Sequence, residues 1–332
     1  MSLGFKSQAV FDARRKIEEL EKKLLVFYAY FADKYYRELI SNAELASFVL
    51  RVEEPNLLQN LRLAEQQQSW EYAQVILQAL GDVYDRIGRK PEFRVLRQRA
   101  LKQIGIHLAE AKAKGQAAFN FWTYLRGVDA KEALAAADLE GARVIYQEIL
   151  DELTSLNDPS VNDKIAVTYQ NLGILAQEQR RFDEATAFYQ KSLQICEDAG
   201  DLYNAASAYH QLGMLAQEQR RFDEAINYYQ KAFEIREQFQ NWRKASSTLS
   251  QWGNLLETQE KWSEALQIYI HAFAIDLEHN EEWIGWRIKD LGRMLKAMGM
   301  SQFESVWQQV TGEECPEEVR SAIQAASEEN EE

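Results

Sequence analysis

The string AQEQRRFDEA occupies Ala176 to Ala185 and recurs without a single change at Ala216 to Ala225, which sets an internal period of 40 residues. Other positions keep the same phase. Gly173, Gly213 and Gly253 align, as do Leu172, Leu212 and Trp252, then Ala185, Ala225 and Ala265, then Tyr189, Tyr229 and Tyr269. Three good copies run from Ala166 to His279. A fourth, weaker copy places Gly292 after Leu291, one residue short of the period, with Phe303 and Trp307 as the aromatics of its second helix.

Within one copy Tyr209, Leu212, Gly213 and Ala216, then Phe222, Ala225, Tyr229, Ala232 and Phe233, recur at three and four residues, the mark of two amphipathic helices. The connection Gln219 to Phe222 is polar without Gly or Pro, and Asp223 stands where an N-cap carboxylate would accept from the exposed amides of the second helix. Each copy is therefore expected to be a helical hairpin. Its in-phase Gly and Ala would let the two helices approach closely, and its Leu and Tyr would fill the seam between them.

Composition narrows the function classes. Against 38 Lys and Arg the 332 residues carry 52 Asp and Glu, a net charge of -14 that repels phosphate backbones and anionic lipid heads, so neither nucleic acid nor membrane is an expected partner. Only 15 Gly and 4 Pro punctuate the chain, which favours helix. Cys196 and Cys315 stand alone, so neither a disulfide framework nor a zinc site is indicated and a reducing compartment is expected. The longest apolar run, Leu24 to Ala32, is well short of the roughly 18 residues that cross a bilayer, and no signal pattern opens the chain; a cytoplasmic location is expected.

Toward the amino terminus the template loosens. Leu77, Leu80, Gly81 and Tyr84, followed by Ala100 and Leu101, match it with Phe93 in place of the Ala and Arg97 in place of the Tyr. Leu139-Glu-Gly-Ala142 with Tyr146-Gln147 matches Phe182-Asp-Glu-Ala185 with Tyr189-Gln190, so a second helix is expected over Asp138 to Leu153, paired with Ile104 to Arg126. The clearest loop, Thr154 to Asp163, would be a mild hinge between front and rear arrays. Ile17, Leu20, Leu24, Phe27, Phe31 and Tyr35 keep helical spacing and are expected to cover one end of the array. The organisation read from these signals is an N-terminal helical segment over 1–73 and degenerate hairpins over 74–153. Repeats follow over 164–299 (166–205, 206–245, 246–284 and 285 onward), then capping helices over 300–332 with an acidic, disordered end from Ser327.

The order Tyr209, Leu212, Gly213, Ala216, Ala225, Tyr229, Ala232 resembles the tetratricopeptide repeat, whose common period is about 34 residues; the longer period here resembles the long-helix subclass of prokaryotic regulators and motor-adaptor light chains. The resemblance implies an all-α fold, an α-α superhelix of antiparallel hairpins. Tyr30-Phe31 through Leu39, then Glu53-Glu-Pro-Asn56-Leu57 with Asn60-Leu61 and Ala64, then Trp70-Glu-Tyr-Ala73, resembles the region that links the nucleotide-binding and winged-helix domains of signal-transduction ATPases with numerous domains to their sensor repeats. Pro55 interrupts that motif. No phosphate-binding loop of the G-x-x-x-x-G-K-[ST] type occurs, so any fused or associated ATPase domain lies outside this chain.

No constellation of catalytic residues stands out. His107, His210, His271 and His279 form no i, i+4 pair, with His279 expected at a solvated helix end, and pairs such as Asp223-Glu224 recur with the repeat and lack the burial that acid–base work needs. No enzyme activity, metal or cofactor is expected. In the resembled family the first helix of each hairpin lines the concave surface and reads the partner. By register this gives Gln170, His210, Ser250 and Lys289 in one row, Ile174, Met214, Asn254 and Arg293 in a second, and Gln177, Gln217, Glu257 and Lys296 in a third. Such a groove would run from amide-rich to basic and suit a protein or an acidic peptide. Trp283 and Trp286 are expected in the core of the last repeat or, alternatively, as an exposed aromatic anchor. The function so implied is a non-catalytic binding scaffold: the sensor region of such an ATPase or, alternatively, a free-standing peptide-responsive regulator or adaptor.

Overall fold

A computed structural model describes the backbone of residues 2–114, 116–279 and 281–328, and the side chains of 14–39, 42–105, 117–279 and 282–328. The described residues form sixteen α-helices and no strand, an all-α superhelix of hairpins. Contacts divide the chain into two compact units, 1–145 and 146–332. The division falls inside α7 (Leu139–Ser155), ahead of the loop proposed as a hinge.

The second unit carries the repeat. Helices α8 (Asn162–Glu178), α10 (Leu202–Glu218) and α12 (Trp242–Thr258) start 40 residues apart, as do α9 (Phe182–Asp198), α11 (Phe222–Gln238) and α13 (Trp262–His279). Each first helix packs on its own second helix, which in turn packs on the next first helix. The seam is the small-residue contact read from the sequence. A Cβ on Gly173 would lie 2.5 Å from the Tyr189 ring, one on Gly213 2.7 Å from Tyr229, and one on Gly253 2.5 Å from Tyr269. Ala185, Ala225 and Ala265 are fully buried beside them.

The hairpin turns depart from expectation. Asp223 is not the N-cap: Arg221 holds that position without a side-chain bond, and Asp223 and Glu224 lie in the first turn, where they favour the helix dipole. The reversal is made by Arg180, Arg220 and Glu260 in the left-handed region (φ 56°, 60° and 57°), closed by bonds such as Arg221 N–H to the Ala216 carbonyl at 2.8 Å. Side-chain caps sit at the other end, where Asp201 and Asn241 accept from the amides of Asn204 and Lys244.

After α13 the phase breaks. Gly292 on α14 (Ile284–Met298) does not face the aromatics of α15 (Met300–Thr311); a Cβ there would meet the backbone of Ala326 and Ser327 on α16 (Glu317–Glu328) at 3.0–3.1 Å. Phe303 and Trp307 pack toward Phe273 and Ile323 in a terminal cluster that also buries Cys315. Of the tail, Ser327 and Glu328 are helical and 329–332 lie outside the described residues. Trp286 is not core: it is 69 % exposed, under the ammonium of Lys289. His279 stacks flat on Trp242 at 4.6 Å.

The first unit is built around α4 (Trp70–Arg86), which contacts α1 (Ser2–Ser41), α3 (Glu54–Gln66), α5 (Lys90–Lys114) and α6 (Gln116–Ala135). α2 (Ala43–Val52) packs beside α1. The segment 104–126 is not one helix but the end of α5 and the start of α6, and His107 is among its undescribed side chains. Pro55 enters the first turn of α3, where its missing N–H costs nothing, and Glu53 accepts from Asn56 Nδ2 at 2.8 Å. Of the expected stripe on α1, only Phe31 and Tyr35 are half-buried and the other four residues are exposed. Leu20 is 59 % and Phe27 54 % exposed, with Ile17 and Leu24 similar, while Leu25, Ala29, Ala32 and Leu39 form the packed face.

The template's two substitutions explain each other. Phe93, one helical turn before the usual aromatic position, presses its ring on Gly81, where a Cβ would meet Cζ at 2.7 Å. The vacated tyrosine position holds Arg97, 1 % exposed, whose guanidinium binds Asp129 at 2.9 Å and Glu132 at 2.6 and 2.8 Å.

Candidate functional site

In the second unit the first helices α8, α10 and α12 contact one another directly, and each second helix packs between two first helices. The nine row residues of α8, α10 and α12 are half-buried, as is Arg293, while Lys289 and Lys296 are exposed.

Much of this surface is engaged in the scaffold. Gln177, Gln217 and Glu257 accept the hydroxyls of Tyr189, Tyr229 and Tyr269 at 3.0, 2.8 and 2.9 Å, which locks each ring over its glycine. Asn254 Oδ1 lies 2.6 Å from the same Tyr269 hydroxyl and competes with Glu257 for its single proton. Gln170 donates to Ser192 Oγ and the Asn204 carbonyl, and Ser250 to the Ser246 carbonyl. Ile174 and Met214 pack partly on the cores beneath them. At the basic end Arg293 is neutralised: it binds Glu257 at 3.2 Å through two nitrogens and Asp290 at 2.9 Å. Burial opposes its charge, and these carboxylates more than restore it, raising its pKa.

His210 differs from the rest of its row. Its Nδ1 is buried without a hydrogen-bond partner, and its ring lies 5.7 Å from that of Tyr229. Burial, reinforced by Arg236 and Lys244, pulls its pKa down to about 3, so it is neutral across physiological pH.

Beside it lies a residue that the register rows omit. Arg236, on the second helix α11, is 7 % exposed; it donates to the Lys244 carbonyl at 3.0 Å and to Thr248 Oγ1, and its Nε has no partner. Among the described residues no carboxylate pairs with it, and burial lowers its pKa to about 10. The same column one repeat on holds Asp276, which pairs with Arg287 at 2.6 Å, itself bound to Asp290 and Ser246. One repeat back it holds Cys196, buried and neutral. The column Cys196, Arg236, Asp276 is visible in the sequence, and a charge in an otherwise buried column was the available signal.

Residues 164–238 match the family model of the tetratricopeptide repeat. The hairpins α8–α9 and α10–α11 are tetratricopeptide repeats. Comparison of the sequence with curated proteins finds no match. Among solved structures, BtubC from P. vanneervenii aligns at 20 % identity over 69 % of this chain and 90 % of its own, with a TM-score of 0.55. A signal-transduction ATPase with numerous domains and a tetratricopeptide repeat sensor, from Pyrococcus horikoshii, aligns at 14 % over 92 % of this chain and 49 % of its own, TM-score 0.55. The apo form of RapI aligns at 15 % over 90 % and 99 %, TM-score 0.54. At these identities the likeness is one of fold, and this chain spans about half the length of the ATPase. No helix among the described residues is long and apolar enough to cross a membrane, and none of their His, Cys, Asp and Glu form a metal-holding group.

Proposed function

We propose that the tetratricopeptide repeats of the second unit are a peptide-binding scaffold whose polar anchor is the pair Arg236 and His210. The observation that carries this reading is the uncompensated Arg236. An ion held out of water without a counter-charge is penalised by several kcal/mol, and the equivalent joint one repeat on answers its guanidinium with Asp276 and Asp290. A carboxylate from an extended partner would supply what this joint lacks, and His210 Nδ1, neutral and unpartnered, would accept from the partner's backbone N–H. Met214 and Ile174 offer apolar contact along the same face.

The finer reading is that this scaffold is the sensor region of a signal-transduction ATPase, with ligand binding biasing an attached switch domain. Its support is the stretch from Tyr30-Phe31 to Trp70-Glu-Tyr-Ala73. In that stretch Glu53 holds Asn56 and receives the Tyr28 hydroxyl, and Asn60, buried, bonds the Asn56 carbonyl.

An array of nonapeptides, each made as free acid and as amide, tests the binding function with the whole chain. The reading expects retained peptides to be enriched in acidic residues or a free carboxyl end and to be lost by Arg236→Met with melting intact. Retention of none, or retention indifferent to Arg236→Met, overturns it. For the sensor reading, an antibody to this chain should detect a far larger polypeptide in the source cells; a band at this chain's own size favours the free-standing regulator.

A further inference from the structure

The register that defines the rows of the second unit also runs through α4. Three residues before Gly81, and one and four after it, stand Gln78, Asp82 and Asp85, the counterparts of His210, Met214 and Gln217 around Gly213. In the first unit these three residues line a cavity of about 410 Å³ together with Phe93, Tyr36 and Tyr124. Its volume falls within the roughly 300–1,000 Å³ of sites that hold a small ligand.

The charges in this cavity are unequally satisfied. Asp85 is answered by Lys90 at 2.6 Å, and Glu132 by Arg97 at 2.6 Å and Arg94 at 3.1 Å. Asp82 has no ion pair or hydrogen bond among the described residues, and the remaining lining cation, Lys131, is solvent-exposed. Asp82 is an exposed residue, yet partial desolvation of its carboxyl lifts it above its ordinary range, against the pull of Arg86 and with Asp85 adding. The phenols of Tyr36 and Tyr124 are both raised, by burial first and then by the charge of Asp82.

We infer that this cavity is a second binding site, taking the guanidinium of an arginine side chain from a partner polypeptide, with Asp82 as counter-ion and the rings of Tyr36, Tyr124 and Phe93 as its walls. A planar guanidinium suits both parts: it forks onto a carboxylate and lies flat on aromatic faces, whereas an ammonium prefers its hydration shell. A neutral ligand would displace water from Asp82 without supplying a charge in its place, and an anion would face it directly. The inference is independent of the peptide anchor at Arg236, since it rests on other residues, another unit and the opposite charge.

Saturation-transfer NMR on the whole chain tests it with Nα-acetyl-arginine amide, Nα-acetyl-lysine amide and Nα-acetyl-citrulline amide, the last nearly isosteric with arginine but uncharged. The expected result is transfer to the arginine δ-methylene, at least tenfold weaker binding of citrulline, and at least tenfold weakening for arginine in Asp82→Asn with an unchanged melting curve. Asp82→Asn preserves shape on an exposed position, and Asp85→Asn, whose carboxylate already has Lys90, should weaken binding far less. No transfer to arginine amide, equal binding of citrulline, equal or stronger binding of lysine, or indifference to Asp82→Asn would each overturn the proposal.

Discussion

The edge of the Tyr229 ring occupies the space where Gly213 would carry a Cβ, 2.7 Å from Cε1, and the ring cannot retreat because its hydroxyl is bound by Gln217. Gly213→Ala should therefore lower stability by about 1–3 kcal/mol through overpacking. The double variant with Tyr229→Leu should recover part of it, because the clash is with the ring. Thermal melting of the three proteins decides; a neutral Gly213→Ala would mean that the hairpin seam is placed wrongly.

Arg180 and Arg220 hold positive φ where glycine is the easier residue. The left-handed conformation costs an L-residue about 1–2 kcal/mol, and added chain freedom when unfolded takes part of that back. Arg220→Gly should thus raise the stability by about 0.5–1 kcal/mol, and Arg180→Gly should add to it independently. A fall in denaturant midpoint would contradict the turn geometry.

Two of the buried arginines, Arg97 and Arg236, should respond in opposite ways. Arg97 bridges Asp129 and Glu132, so Arg97→Met takes the buried partner from two carboxylates that keep only Arg126 and Arg94, and should cost about 2 kcal/mol, moderated because both are partly exposed. Arg236 bridges no carboxylate, and the Thr248 hydroxyl keeps its bond to the Lys244 carbonyl without it. Arg236→Met should leave the melting temperature unchanged or raise it. Parallel calorimetry of the two variants is the check.

His210 links stability to pH. Its folded pKa, about 3, lies below its unfolded value of about 6.5, so the unfolded chain takes up a proton that the folded chain refuses. Above the unfolded value this has no effect; as pH falls through the window from about 6.5 toward 3, stability should drop by up to ~1.4 kcal/mol per unit. His210→Gln should flatten that slope in urea titrations at stepped pH, and an unaltered slope would show His210 to be freely protonated.

Fold and site were legible to different depths. An unbroken 40-residue period with glycine and tyrosine in phase was enough for the hairpins, because each glycine is needed by the ring above it. The turns were misread at Asp223 because arginine at positive φ leaves no sequence mark, whereas Asp201 and Asn241 cap in the ordinary way. Gly292 kept its place in the pattern but changed partner, since spacing says that something must approach and not which helix does. The apolar spacing on α1 pointed to the wrong face because Ile17, Leu20, Leu24 and Phe27 are as periodic as the buried Leu25, Ala29 and Ala32. Arg236 escaped the rows because they were drawn on first helices alone, although its column already paired a cysteine, an arginine and an aspartate.

The central claim, that a partner's carboxylate completes the joint at Arg236, is tested most directly by following the Nε–H resonance of Arg236 in chain labelled with ¹⁵N at arginine Nε, while the most strongly retained array peptide is added. The account predicts that this resonance moves and saturates with the peptide, while the Nε–H of Arg97, already bound to Asp129, stays in place. A peptide that saturates the chain and leaves the Arg236 resonance unmoved would contradict it.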